Sequence, residues 1–117
     1  MEVDKNTVKF SLDNNFSWEK YENDINRLVL NAVTPVNVIW DLREMNKIPS
    51  MTIIGKQVLL MKTNKKKIKE KIIQNIVYVK TNYLKGRIEW IFKHLYKPEN
   101  PTKIISEEDN VETSILV

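Results

Sequence analysis

The seven residues VNVIWDL, from Val36 to Leu42, decide the fold class. They form a short, nearly continuous apolar run after Pro35, and a polar connection follows from Arg43 to Pro49. Such a run is typical of a central β-strand that is covered on both faces. Because helical patterns occupy the chain on either side, the run predicts a strand within an α/β domain.

Upstream of this run, Thr7–Leu12 alternates apolar and polar residues, which predicts a half-buried strand. Asp13-Asn14-Asn15 then forms a turn, and Ser17 is a suitable N-cap for a first helix. The apolar residues of that helix recur every three or four positions: Trp18, Tyr21, Ile25, Leu28, Val29 and Ala32.

Downstream, Ser50 begins a second helical pattern, which Thr63-Asn64 interrupts. The remaining segments predict a strand, a helix and a strand in that order: Asn75–Lys80, Leu84–Leu95 and Thr102–Ser106. Strands that alternate with helices form sheets through right-handed crossovers. We therefore predict a single α/β domain in which helices pack on a four-stranded, mainly parallel or mixed sheet, in β-α-β-α-β-α-β order. The domain covers residues 1–106, and residues 107–117 form an acidic tail or a short helix.

The scarcity of three residue types excludes many kinds of site. Gly55 and Gly86 are the only glycines, so no glycine-rich phosphate-binding loop can form. The absence of cysteine excludes thiolate catalysis, disulfides and cysteine-ligated zinc, and the single histidine, His94, excludes multi-histidine metal sites. The composition therefore predicts a protein that is not an enzyme and has neither a metal nor a cofactor.

The net charge of +4 is unevenly distributed along the chain. Residues 56–103 hold 13 basic and 3 acidic side chains, and the strongest lysine cluster lies within them: Lys62, Lys65, Lys66, Lys67, Lys69 and Lys71. A solvated lysine surface, enriched by A/T-rich codons, is one interpretation. The other is an anion-binding face for nucleic acid or acidic lipid headgroups, with Lys62, Lys65, Lys66, Lys67 and Lys69 as its candidates.

Three further features contain functional candidates. Asp41 ends the central strand, where it can act in acid–base chemistry or accept hydrogen bonds from loop amides. Ser50 can cap the second helix, and a phosphate on its hydroxyl would be stabilised by the same helix end. On the third helix, Arg87 and Trp90 share a face with Tyr83 and His94, which can cover the core edge or stack on a partner.

The same central segment resembles a known family. Val38–Leu42, a seven-residue loop and Ser50 at a helix start resemble the STAS domains of anti-sigma-factor antagonists. The segment from Ile91 to Ile105, IFKHLYKPENPTKII, is similar to the end of STAS-like proteins related to CRAL-TRIO lipid-binding domains. The similarity covers residues 7–106 in the order of elements.

The resemblance implies a non-catalytic regulatory module that docks on a protein partner or holds a small ligand. Its regulatory or docking residues would be Ser50, Asp41, Met51 and Thr52, and the chain would be a monomer or a homodimer. The first ten residues lack the pattern of a signal peptide and no apolar run reaches 18 residues, so the sequence predicts a cytoplasmic protein without a transmembrane segment.

Overall fold

The structure, a computed structural model, describes residues 6–108, which form four strands and four α-helices. The strands are β1 (Thr7–Asp13), β2 (Val36–Glu44), β3 (Ile72–Val79) and β4 (Thr102–Ser106). The helices are α1 (Trp18–Ile25), α2 (Met51–Thr63), α3 (Lys65–Lys71) and α4 (Asn82–His94). A π-helical turn, Asn26–Leu30, continues α1.

The four strands form one sheet in the order β1-β2-β3-β4, and every neighbouring pair is parallel. Phe10 of β1 lies opposite Trp40 of β2, which in turn lies opposite Val77 of β3. Consecutive parallel strands need a crossover each, and the helices supply those crossovers. The predicted α/β domain with β-α-β-α-β-α-β order is therefore confirmed, with an entirely parallel sheet.

The described helices cover one face of the sheet. Val8, Val38 and Val77 lie on that face and belong to the two clusters of buried residues that include α1, α2, α3 and α4. Side chains alternate along a strand, so Ile39 and Asp41 point to the opposite face, where both are only partly buried. The sequence predicts coverage of β2 on both faces, whereas no described helix covers this second face.

Helix α1 follows directly from its sequence pattern. The hydroxyl of Ser17 accepts a hydrogen bond from the amide of Lys20 at 3.3 Å, which confirms the predicted N-cap. Trp18, Tyr21 and Ile25, spaced by three and four residues, are buried against the sheet. The helix thus brings the Tyr21 hydroxyl onto the covered face of β2.

Several element boundaries differ from the prediction. Strand β2 continues to Glu44, so Asp41 lies within the strand and not at its end, and β1 continues to Asp13. Strand β3 begins at Ile72 instead of Asn75, because Ile72 pairs with Val36 and is 3% exposed. The first helix changes to π-helical geometry after Ile25. The predicted interruption of the second helix is confirmed, since α2 ends at Thr63 and α3 begins after Asn64. Of the predicted acidic segment 107–117, residues 109–117 lie outside the described part.

None of the helices between residues 6 and 108 is both long enough and apolar enough to cross a membrane.

Candidate functional site

Asp41 lies on the uncovered face of β2 in a network of charged groups. Its carboxylate accepts hydrogen bonds from Arg43 Nε at 2.9 Å and Nη2 at 2.8 Å, and Lys9 Nζ lies 3.5 Å away. The Arg43 guanidinium also lies 5.0 Å from the centre of the Tyr78 ring. These contacts connect strands β1, β2 and β3 across this face.

The hydrogen bonds from Arg43 lower the pKa of Asp41 to about 2, and the positive charge of Lys9 adds to this effect. Asp41 is therefore ionised at neutral pH, and its negative charge stabilises the contacts with Arg43 and Lys9. A carboxylate with so low a pKa is a poor proton acceptor, since general bases work best with a pKa near the operating pH. The arrangement favours the structural alternative for Asp41.

Ser50 lies at the start of α2, on the helix-covered side of the sheet. Its hydroxyl accepts a hydrogen bond from the amide of Ile53 at 3.3 Å, so the predicted N-cap is confirmed. Ser50 and Thr52 are exposed, and Met51 is 65% exposed. The structure thus places Ser50, Met51 and Thr52 together on the surface, whereas Asp41 has its own partners on the opposite side of the sheet.

The first half of the loop that leads to Ser50 is held in place by the rest of the protein. Met45 is 3% exposed and anchors the start of the loop in the interior. Asn14, in the turn after β1, accepts a hydrogen bond from the Asn46 amide at 3.1 Å and donates one to the Lys47 carbonyl at 3.3 Å. The loop and the first turn of α2 therefore present a preorganised surface, which we call the loop–α2 surface (residues 46–52).

A cavity of about 180 Å³ lies directly beneath α2. Its floor is formed by Trp40 and Val77 on the covered face of the sheet, and its walls include residues of α1, α2 and α4. Ile53 and Phe92 line it and are only partly buried, so the cavity reaches the surface between α2 and α4. Ile48 and Pro49 of the loop also line it.

The lining of the cavity is mostly apolar. Of the described residues that line it, Glu99 alone is charged. Concave, mostly apolar spaces with a few polar groups are typical of ligand sites. The cavity is therefore a candidate binding site.

The polar groups at one side of the cavity form hydrogen bonds with one another. The Tyr21 hydroxyl donates to Gln57 Oε1 at 2.8 Å and accepts a hydrogen bond from Trp40 Nε1 at 3.1 Å. Burial raises the pKa of Tyr21 to about 12, although the hydrogen bonds with Trp40 and Gln57 oppose that shift. Tyr21 consequently stays protonated and joins α1, β2 and α2 around the cavity.

Two asparagines at the other side of the cavity are only half satisfied. Asn75 Nδ2 donates to Thr102 Oγ1 at 3.0 Å, and Asn100 Nδ2 donates to the Ile72 carbonyl at 2.8 Å. The Oδ1 atoms of both asparagines are buried, and no residue within 6–108 donates a hydrogen bond to either. Buried carbonyl oxygens normally accept a hydrogen bond, so these two oxygens are unusual in having no donor within residues 6–108.

The candidate lysines extend along one end of the molecule. Lys62 lies in the last turn of α2, and Lys65, Lys66, Lys67 and Lys69 lie on α3. All five are exposed, and Lys65 lies 3.7 Å from Glu99. Among the described residues, none of the other four forms an ion pair. Lys71, in contrast, donates to the Ala32 carbonyl at 2.7 Å and fastens α3 to the segment before β2.

The predicted aromatic face of α4 lies on the surface. Trp90 is 50% exposed and its ring lies 4.8 Å from that of His94, while Arg87 is exposed one turn earlier. Tyr83, 73% exposed, lies at the start of the same helix. These side chains therefore remain accessible to a partner.

No pattern in the sequence indicates the cavity, although one of the residues that line it is unusual for its position. Asn75 is a polar residue inside the apolar run of β3, and it is 8% exposed. A buried polar side chain in a central strand is rarely there for packing alone. Tyr21 and Gln57 gave no such signal, because each fits an ordinary helical pattern.

Comparisons with protein-family models, curated proteins and solved structures returned no match. The candidate site consists of two neighbouring features, the loop–α2 surface and the cavity beneath it.

Proposed function

We propose that this chain is a non-catalytic, STAS-like regulatory module that docks on a protein partner through the loop–α2 surface. Ser50 is the switch position within that surface, and phosphorylation of its hydroxyl changes the affinity for the partner. Asp41 contributes by holding the end of β2, from which the loop departs. The order of elements resembles that of STAS domains, and we assign the regulatory role of those domains to this chain.

The observation that carries the proposal is the exposure of Ser50 on a rigid support. The hydroxyl caps α2, and the preceding loop is fixed by Met45 and Asn14. Met51 supplies an exposed apolar side chain beside it, which is the kind of group that anchors interfaces. A partner would therefore meet a preformed surface that contains a modifiable hydroxyl.

The electrostatics of the α2 start suit a phosphate. No acidic residue lies in the first turn of α2, so the free amides and the positive end of the helix are not already neutralised. A phosphate adds about 1.5 to 2 negative charges at pH 7. This is a large change in the charge of a surface of only a few residues. We therefore expect phosphorylation to leave the fold intact and to change the affinity for the partner.

Ser17 provides a matched control for a test of this proposal. It caps α1 with the same geometry, since its hydroxyl accepts from the amide of Lys20 at 3.3 Å, and it is also exposed. We would immobilise the wild-type chain, Ser50→Asp and Ser17→Asp, and quantify retained proteins by mass spectrometry, together with phosphosites on the native chain. A partner purified from this comparison would then be titrated against each variant.

We expect a retained partner whose affinity changes at least about tenfold in Ser50→Asp and remains within about twofold in Ser17→Asp, because only the first charge enters the surface. Both variants keep an acceptor at the N-cap, but Ser17→Asp should unfold at the lower temperature because the Ser17 hydroxyl lies 3.5 Å from a carboxylate oxygen of Glu19. Equal affinities for the two variants would contradict the proposal. Sedimentation of the same samples shows whether the partner is a second copy of the chain.

One observation favours a second candidate function, which is polyanion binding. Lys62, Lys66, Lys67 and Lys69 are exposed and have no carboxylate partner within residues 6–108. Unpaired lysines at one end of a molecule can contact successive phosphates of a nucleic acid or an acidic lipid surface. Binding of this kind weakens steeply as the salt concentration rises.

A further inference from the structure

The second face of the sheet, which no helix between residues 6 and 108 covers, has an apolar centre between two lysines. The strand register places four of its side chains in one row, which reads Lys9, Ile39, Ile76 and Lys103 from β1 to β4. The residue after each of them packs in one of the two core clusters, so the row itself points away from the helices. We call this side of the sheet the uncovered face.

The uncovered face carries more apolar surface than this row alone. In the next row, Tyr78 of β3 lies opposite Ile105 of β4. These two residues, like Ile39 and Ile76, are only partly buried. Purely parallel sheets occur almost only where both faces are covered, and this sheet is entirely parallel. We therefore expect a further segment or molecule to cover this face.

The chain leaves β4 beside the uncovered face. The hydrogen bond with Asp41 raises the pKa of Arg43, and the negative charges of Asp41 and Glu107 add to this effect. Glu107, the first residue after β4, therefore lies near the Arg43 guanidinium, which extends over the Tyr78 ring. Glu107 and Glu108 have helical geometry. The chain after Glu108 consequently starts at the rim of this face.

Residues 109–117 start from a fixed point and are long enough to cross the uncovered face. Glu108 anchors the chain, because its carboxylate accepts a hydrogen bond from the Asn82 amide at 2.6 Å. Neighbouring strands lie about 4.8 Å apart, so β2 is roughly 10 Å from β4. The segment spans roughly 13 Å as a helix and about 30 Å when extended. Either conformation reaches the isoleucines of β2 and β3.

The sequence of this segment, DNVETSILV, suits an apolar surface. Val111 and Ile115 share one face in a helix, where residues four apart are neighbours, and also in a strand, where every second residue points the same way. They can therefore contact Ile39 and Ile76 together in either conformation. Leu116 points to a different face from Ile115 in both.

The charges of the segment and of the uncovered face are opposite. Two of the residues in 109–117 are acidic and none is basic. On the face, Lys9 and Arg43 share the single carboxylate of Asp41, so one positive charge is in excess there. Lys103, at the other end of the row, forms no ion pair with a residue in the described part. Electrostatic attraction therefore favours an acidic segment on this face.

We propose that residues 109–117 pack against the uncovered face, with Val111 and Ile115 on Ile39 and Ile76 and with the acidic side chains beside the two lysines of the row. The segment supplies the second cover of the parallel sheet and shields an apolar surface from a second copy of the chain. The loop–α2 surface is not involved, because it lies on the other side of the sheet.

A spin label tests this placement in the full chain. The sequence contains no cysteine, so the thiol of a Ser114→Cys variant is the only one that can carry a nitroxide. With isoleucine methyl groups labelled by ¹³C, we expect the signals of Ile39 and Ile76 to lose most of their intensity. Ile25 and Ile54, buried against the covered face, should keep most of theirs.

Two substitutions in the spin-labelled chain form a matched pair. Ile115→Ser removes a side chain that contacts the face, so it should restore at least half of the lost intensity and lower the melting temperature by roughly 3–6 °C. Leu116→Ser removes a side chain of similar size that points elsewhere, so both effects should be smaller. Near-ultraviolet circular dichroism checks that the domain stays folded in each variant.

Four results would overturn the inference. Equal intensity losses for isoleucines of both faces would place the segment elsewhere. Broadening that appears only when spin-labelled chains are mixed with ¹³C-labelled, unmodified chains would assign the face to a second copy. Broadening of Ile39 and Ile76 from a label at Val3→Cys, without any from Ser114→Cys, would assign it to residues 1–5. A larger effect of Leu116→Ser than of Ile115→Ser would contradict the proposed contacts.

Discussion

At the residue scale, Asp41 is the side chain whose contribution depends most clearly on pH. Its folded pKa of about 2 lies below the ordinary value of 3.8, so its ionised form stabilises the folded state. The stabilisation is complete above the unfolded pKa and disappears as the pH falls from about 4 towards 2. Because Arg43 is 39% exposed and Lys9 is 30% exposed, solvent screening limits it to roughly 1–2 kcal/mol.

We therefore predict that Asp41→Asn lowers the free energy of unfolding at pH 7 by about 1–2 kcal/mol. Urea unfolding of both proteins from pH 7 to pH 2.5 should show the two curves converge at the acidic end. Asp24→Asn is the control, because Asp24 pairs with Lys20 and Arg27 on the surface of α1 and should change stability less. A difference that stays constant down to pH 2.5 would argue against the Asp41 network.

Individual residues differ in how far the sequence predicts them. The capping roles of Ser17 and Ser50 were predictable, since an N-cap depends only on the three residues that follow it. The partners of Asp41 were not, because Lys9 comes from another strand and reaches Asp41 only through the β1–β2 register. The orientation of the Asn75 amide likewise depends on a distant residue. Its Nδ2 donates to Thr102, 27 residues away, and its Oδ1 has no donor among the described residues.

At the element scale, the glycines of α2 and α4 are not required by the fold. A Cβ at Gly55 or at Gly86 would meet no atom within 4 Å, and neither glycine has a positive φ. Glycine within a helix costs roughly 0.5–1 kcal/mol relative to alanine, because its unfolded state is more flexible. Both glycines therefore weaken helices that flank the cavity.

We predict that Gly55→Ala and Gly86→Ala each raise the free energy of unfolding by about 0.5–1 kcal/mol. For a domain of 117 residues, such a gain raises the melting temperature by roughly 2–5 °C. Calorimetry of the two variants beside the wild type measures the change, and each variant serves as the control for the other helix. A loss of stability at either site would show that the added methyl group meets a neighbour.

Some helices and strands are predicted more accurately from the sequence than others. Strand β4 and the break at Asn64 follow from local patterns, and both agree with the structure. Strand β3 starts earlier than predicted because Ile72 fits a helical repeat and a strand equally, and its pairing with Val36 decides between them. The π-helical turn after Ile25 has no local sequence signal.

At the scale of the whole molecule, the sequence predicts the order of elements but not the spaces between them. Whether α2 rests directly on the sheet or above a cavity depends on every neighbouring side chain, and a periodic pattern of apolar residues does not distinguish the two. Similarly, the apolar run of β2 favours coverage on both faces, whereas Ile39 remains partly exposed on the uncovered face.

The charge distribution is also a property of the whole molecule, and it leads to a prediction about polyanions. If Lys62, Lys66, Lys67 and Lys69 bind a polyanion, retention on heparin and on single-stranded DNA should fall steeply between ~50 and ~200 mM salt, because bound counterions are released on binding. Replacing Lys65, Lys66 and Lys67 by Glu should abolish that retention. Lys71 is left unchanged, since it donates to the Ala32 carbonyl and its loss would disturb the fold.

Replacing Lys80, Lys93 and Lys103 by Glu makes the same change in net charge at exposed positions outside the cluster, where none of the three lysines forms an ion pair with a described residue. If the cluster is the site, this control should keep most of the retention, because the contacts with successive phosphates are preserved. If both triple variants lose retention equally, only the net charge of +4 matters and the lysines are a solvated surface. No retention of the wild type at low salt would lead to the same conclusion.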